Sequence, residues 1–87
     1  MSGVDRLTKL YNEQIEVSRD ENGGPRSFIW RRSVYLVSSY TVEKAPVDSF
    51  VFKRYAGPDR YRCETKQGLV CDLVRQGDEW TLERVWD

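Results

Sequence analysis

The sequence contains no histidine. That removes the usual general acid or base near neutral pH and the commonest metal ligand. It holds two cysteines, too few to build a structural zinc site of four Cys and His ligands. There is no Gly-rich phosphate loop: Gly23-Gly24-Pro25 leads into Arg26-Ser27-Phe28-Ile29-Trp30, which reads as a strand and not as a helix N-terminus. No stretch approaches the ~18 apolar residues of a membrane helix. No basic-then-apolar segment opens the chain, so the expected location is cytoplasmic. There is also no net charge, because 14 Lys and Arg balance 14 Asp and Glu. These absences leave little room for catalysis. No catalytic residue, metal ligand or cofactor is expected, although carboxylates and tyrosines from distant strands remain the one route to an enzyme.

What is present describes a small single domain over residues 1–87. Hydrophobic residues make up 39% of the chain and aromatic residues 13%, enough for a core built on large rings. Val4, Leu7, Leu10 and Tyr11 fall at helical spacing, so a short helix is expected over residues 2–11, with Ser2 as its cap. From Glu13 onward the rhythm has a period of two. Ile15 and Val17 alternate with Glu16 and Ser18. Residues 19–25 form a polar loop. Phe28 and Trp30 share a face of the next strand, and Arg31-Arg32-Ser33 turns the chain. Val34 to Val42 is the longest apolar run, apolar on both faces, which predicts a central strand or one in a closed barrel. Further strands are expected over 47–55, 60–65, 69–75 and 79–86, with turns at Ala56-Gly57-Pro58-Asp59, Gln67-Gly68 and Gln76-Gly77-Asp78. The predicted fold is all-β: six or seven antiparallel strands in a small barrel or strongly bent sheet, with the helix over one end. The predicted core is Ile15, Val17, Phe28, Trp30, Leu36, Phe50, Phe52, Leu69, Leu73, Trp80 and Leu82.

Cys63 and Cys71 straddle the Gln67-Gly68 turn. A three-residue loop, Lys66 to Gly68, sets them directly opposite each other; a two-residue loop sets Cys63 against Asp72. Two buried thiols packing as small hydrophobes is the plainer reading, and a redox pair is the other.

The neutral total hides an asymmetry. Residues 1–25 carry a net charge of −2, residues 26–66 a net of +5, and residues 67–87 a net of −3. The basic middle interleaves with aromatics: Trp30-Arg31-Arg32, Phe52-Lys53-Arg54-Tyr55 and Arg60-Tyr61-Arg62. Small barrels that hold single-stranded nucleic acid combine a basic groove with stacking rings. The same interleaving arises in any half-buried strand, and the neutral total weakens the nucleic-acid reading. Eleven aromatic residues also exceed what so small a domain hides easily. Trp, Tyr and Arg dominate protein-binding hot spots. The candidate binding residues are therefore Arg31, Arg32, Tyr40, Lys53, Arg54, Tyr55, Arg60, Arg62, Arg84 and Trp86, with Tyr40, Tyr55, Arg84 and Trp86 as the exposed set.

Six stretches together resemble a family of small, functionally uncharacterised bacterial domains. They are Tyr11-Asn12-Glu13-Gln14-Ile15-Glu16-Val17, Phe28-Ile29-Trp30-Arg31-Arg32, Tyr35-Leu36-Val37, Tyr61-Arg62, Val70-Cys71-Asp72-Leu73 and the closing Trp80-Thr81-Leu82-Glu83-Arg84-Val85-Trp86-Asp87. Such domains occur alone or at the C-terminus of proteins related to Y-family translesion polymerases. The resemblance implies an accessory binding role in DNA-damage tolerance and carries no catalytic residues with it. Two positions depart from the pattern: Arg32 stands where relatives tend to have Gly, and Cys71 where they often have Tyr. An Arg at that place argues against a tight two-residue hairpin, because Arg tolerates positive φ poorly.

The leading expectation is a non-catalytic module that binds a protein through exposed rings and a sheet edge. Homodimerisation is a variant of it, and single-stranded nucleic-acid binding by the 26–66 segment is the alternative.

Overall fold

A computed structural model describes residues 8–44 and 59–86. They form six strands: β1 (Thr8–Arg19), β2 (Pro25–Trp30), β3 (Ser33–Lys44), β4 (Asp59–Thr65), β5 (Val70–Gln76) and β6 (Glu79–Trp86). Each strand pairs antiparallel with the next, and β6 returns to β1, closing a barrel. Closure of so few strands requires strands that tilt and stagger, so that the two neighbours of a strand can flank different stretches of it. β1 pairs with β6 through Thr8–Ile15 and with β2 through Glu16–Arg19. β3 likewise pairs with β2 through Ser33–Leu36 and with β4 from Val37 to Lys44.

The all-β barrel agrees with the two-residue rhythm of the sequence. Ile15, Phe28, Tyr61, Cys63, Cys71, Leu73, Trp80 and Leu82 are buried and form one cluster. Tyr11, Val17, Trp30, Tyr35, Val37, Tyr40, Leu69 and Val85 pack against it half-buried. Rings link the interior: Phe28 stacks on Tyr35 with centroids 5.2 Å apart, and Tyr61 lies between Tyr40 at 5.6 Å and Trp80 at 5.2 Å.

Three expectations need correction. Thr8–Tyr11, the end of the helix expected over 2–11, is strand, and residues 2–7 lie outside the described residues. Helical spacing is mimicked there because β1 breaks register between Leu10 and Glu13, with Asn12 in the left-handed region at φ 51°. Leu10 is consequently 61% exposed while Tyr11 packs inward. Leu36 is 44% exposed and not in the core. In β3 the inward residues are Tyr35 and Val37, and a bulge between Val37 and Ser39 then turns Tyr40 inward. One extra residue swaps the faces of a strand, so a face drawn through Val34, Leu36 and Tyr40 mixes the two sides. Finally, Trp30 pairs with Ser33, leaving a two-residue turn of Arg31 and Arg32 at φ 53° and 68°. The hairpin is tight despite the missing glycine. The strand expected over 47–55, with Phe50 and Phe52, lies outside the described residues.

The two cysteines sit as a three-residue loop dictates. Thr65 N–H donates to Leu69 C=O at 2.9 Å, Gly68 takes φ 92°, and Cys63 faces Cys71 in register. Both thiols are free and fully buried. Burial raises both pKa values, that of Cys71 to about 12.

Candidate functional site

The candidate residues separate into three places. The first is a charged and aromatic patch on the outer face of β4, β5 and β6. The register sets Arg62 opposite Asp72 and Asp72 opposite Arg84. Asp72 lies between the inward Cys71 and Leu73, so its carboxylate projects outward, yet it is only 2% exposed. It accepts a hydrogen bond from Arg62 Nε at 2.8 Å and faces Arg84 Nε at 3.7 Å. A buried carboxylate is tolerated when it is paired in this way. Between Asp72 and Leu73 the ladder to β6 slips, so Glu83 is an extra residue. The slip puts Glu83 and Arg84 side by side, with Glu83 accepting from Arg60 Nε at 3.0 Å and from its NH2 group at 3.1 Å. Arg62 and Arg84 lie over the Trp86 ring, 4.5 and 5.6 Å from its centroid. Arg84 Nε and Trp86 Nε1 are buried donors without an acceptor among the described residues.

This arrangement brings together Arg60, Arg62, Arg84 and Trp86, as anticipated, but not as an open basic groove. Each guanidinium already meets a carboxylate, and the indole is covered by two cations. The donors left without an acceptor among the described residues, Arg84 Nε and Trp86 Nε1, are buried and do not line an open groove. Asp72 was not singled out from the sequence, although a lone acid inside Val70-Cys71-Asp72-Leu73-Val74 signals a buried charge in need of a cation.

The second place is the tip of the β2–β3 hairpin. Arg31 donates to Glu13 from Nε at 3.1 Å and from NH2 at 2.7 Å, and Trp30 Nε1 donates to Glu13 at 2.8 Å. These donors, Arg31 first, hold the Glu13 carboxyl below its usual pKa. The Arg31 guanidinium lies 4.9 Å from both the Tyr11 and Trp30 ring centroids. This clamp offsets the strain of Arg31 at positive φ. Arg32 makes no ion pair among the described residues. Beside the tip, the outer face of the hairpin is apolar. Ile29 pairs directly with Val34, and Leu36 follows on the same face; the three are 45%, 57% and 44% exposed. The sequence hid this patch because Leu36 reads as core.

Tyr40 stands alone and is not an exposed ring. It packs against the core, and its hydroxyl donates to Asp20 Oδ2 at 2.8 Å. Asp20 Oδ1 accepts from Asn22 N–H and Gly24 N–H at 2.9 and 2.8 Å, so the carboxylate ties the β1–β2 loop together. The Tyr40 hydroxyl is the leading cause of a lowered Asp20 pKa, and the same bond raises the pKa of Tyr40. Lys53, Arg54 and Tyr55 lie outside the described residues. Among the described residues, no three Cys, Asp or Glu side chains are grouped to hold a metal ion, and no helix is long and apolar enough to cross a membrane.

Comparison with protein-family models, curated proteins and solved structures finds no match for the chain. Its function is therefore argued from its own surface.

Proposed function

We propose that this chain is a non-catalytic protein-binding module of the cytoplasm whose contact face is the outer side of the β2–β3 hairpin. One observation carries the reading: Ile29, Val34 and Leu36 form a contiguous exposed apolar patch on paired strands. Scattered surface hydrophobes need no explanation, but a contiguous patch bordered by charge is the usual form of a docking face. The hairpin presenting it is stiffened by the Glu13–Trp30–Arg31 clamp, so little order is lost on contact. An accessory role in DNA-damage tolerance rests on the sequence resemblance alone. The nucleic-acid alternative is disfavoured by the carboxylates already paired with Arg31, Arg60, Arg62 and Arg84.

The test is affinity capture from lysate with the full chain as bait, run for wild type and Val34→Asp, each with and without nuclease. The expected result is a protein that survives nuclease and is lost with Val34→Asp while circular dichroism of the variant is unchanged. Capture that depends on nucleic acid, or that ignores Val34→Asp, overturns the reading. Sedimentation of both forms at several concentrations tells a homodimer from a foreign partner.

A further inference from the structure

We infer that the free edge of β3 at Val34–Leu36 takes an extended peptide as an added strand, one with alternating apolar side chains and an acidic residue. The inference rests on the protein-binding reading and names what binds and how. Among the described residues, β3 between Ser33 and Leu36 has a neighbouring strand on one side only, because β4 joins it at Val37. Residues i and i+2 of a strand point their backbone groups to the same side. Those of Val34 and Leu36 point away from β2 and meet the β4–β5 turn. Leu36 C=O accepts from Lys66 N–H at 2.8 Å. Leu36 N–H donates to Gln67 Oε1 at 3.1 Å, and Val34 C=O accepts from Gln67 Nε2 at 3.5 Å. The carboxamide of Gln67 thus does what one peptide unit of a neighbouring strand would do, offering an acceptor and a donor at adjacent ladder positions.

This substitute is weakly held. Both bonds are exposed, and the second is at the outer limit for a hydrogen bond. Beneath it runs an open groove of about 580 Å³ lined by Ser33, Val34, Tyr35, Gln67, Gly68 and Leu69. Free strand edges recruit extended segments, whose backbone supplies affinity and whose alternate side chains supply specificity. Here those side chains would land beside Val34 and Leu36. Charge selects further: Arg32 and Lys66 bracket the edge and make no ion pair among the described residues, whereas Arg31 is already matched by Glu13. An acidic residue in the peptide meets a cation, and a basic one meets repulsion.

The experiment is panning of a phage-displayed library of random linear peptides on the immobilised full chain, followed by titration of labelled synthetic copies of the enriched peptides. Enriched sequences should alternate apolar residues and carry Asp or Glu. Gln67→Ala, which removes the competing amide, should bind them roughly two- to fivefold tighter. Leu36→Pro deletes an edge N–H that takes no part in the β2 ladder, and should weaken binding at least roughly fivefold. If Leu36→Pro fails to fold, methylation of the peptide's backbone nitrogens provides the same test on unaltered protein and should abolish binding. The inference falls if no peptide is enriched, if Gln67→Ala weakens binding, or if backbone methylation leaves it intact. Binding that ignores methylation but is lost with Val34→Asp would keep the docking face and overturn strand addition. No enrichment together with a concentration-dependent dimer lost in Leu36→Pro would put a second copy of the chain in the peptide's place.

Discussion

The contact between Gly24 and Tyr40 gives the sharpest test of the fold. Gly24 is buried at the start of β2, and its φ lies outside the left-handed region. Backbone preference therefore does not require glycine there. Space does: a methyl group added at Gly24 would be driven into the hydroxyl and ring of Tyr40. The ring cannot simply swing away, because its hydroxyl is bonded to Asp20, and Asp20 in turn holds the loop through the N–H groups of Asn22 and Gly24. Forcing one extra carbon into packed surroundings costs about 1–3 kcal/mol, and disturbing the Tyr40–Asp20 bond adds to that. A domain of this size is stable by only ~4–13 kcal/mol, and each kcal/mol moves the melting point by about 4–8 °C. Gly24→Ala should therefore lower Tm by roughly 5–20 °C. The decisive measurement is a double-mutant cycle by urea unfolding, followed by tryptophan fluorescence. With the ring removed in Tyr40→Ala, the added methyl should cost under ~0.5 kcal/mol, or even stabilise by restricting the unfolded chain. A Gly24→Ala protein as stable as wild type would refute the placement of Tyr40. So would a penalty that persists undiminished in the Tyr40→Ala background.

Three further outcomes follow from the same geometry. The Asp20 carboxyl is lowered in the folded state, so its contribution is complete above its unfolded pKa near ~3.9 and drains away as pH falls through the folded value; Tyr40→Phe should flatten this acid limb in melts run from about pH 6 to pH 2, and an unaltered limb would contradict the bond. Cys63 and Cys71 are buried with raised pKa values, so neither should react with a thiol reagent at pH near ~8 until urea unfolds the chain, whereupon both should; prompt labelling of the native protein would place them elsewhere. Arg32 carries positive φ without the clamp that holds Arg31, so Arg32→Gly should stabilise by about 0.5–1 kcal/mol, the left-handed penalty less the entropy of glycine; a loss of stability would mean that the Arg32 side chain makes a contact worth more than that strain.

Much of the barrel was legible in the sequence because most of its strands keep strict alternation. Phe28 and Trp30, Tyr61 and Cys63, and Trp80 and Leu82 all point inward as a period of two requires. The cysteine register was legible only as one of two alternatives, and the three-residue loop closed by Thr65 and Leu69, with Gly68 at φ 92°, decides it. What failed lies close to the places where the ladder slips. Leu10 and Tyr11 read as part of a helical stripe with Val4 and Leu7, yet as successive residues of a strand they face opposite sides. Leu36 looked like core by residue type, but the inward positions of β3 are Tyr35, Val37 and, past the bulge at Ser38, Tyr40. The binding residues were recognisable by type but not by grouping. Arg60, Arg62, Arg84 and Trp86 meet only because β4, β5 and β6 are neighbours; of the acids that neutralise them, Asp72 is flagged by its apolar flanks, whereas Glu83 reaches its place only through the slip in β6. Gln67 left no signal at all: a polar residue in a turn is unremarked until its amide is seen on a strand edge.

The register breaks and the surface chemistry have a common origin. A barrel of six strands closes only if its strands tilt and stagger, so that the two neighbours of a strand can flank different stretches of it. β1 changes partner beyond Ile15, and the break near Asn12 brings Tyr11 and Glu13 beneath Trp30 and Arg31, which makes the hairpin rigid. β6 slips at Glu83, which sets two opposite charges side by side over Asp72 and fills that face with its own ion pairs. β3 changes partner at Val37, and the stretch before the change must keep an edge that no strand of the described barrel covers. Of these three places, the first two are filled chiefly by ion pairs and rings of the chain itself. The third is met by one backbone N–H, that of Lys66, and by the side-chain amide of Gln67 on a turn, beside exposed Val34 and Leu36 and between two cations that make no ion pair among the described residues. Closure thus uses up the surface chemistry where the charges are densest and leaves it open where the backbone is exposed. This contrast is what supports the proposed peptide partner over one that supplies phosphates.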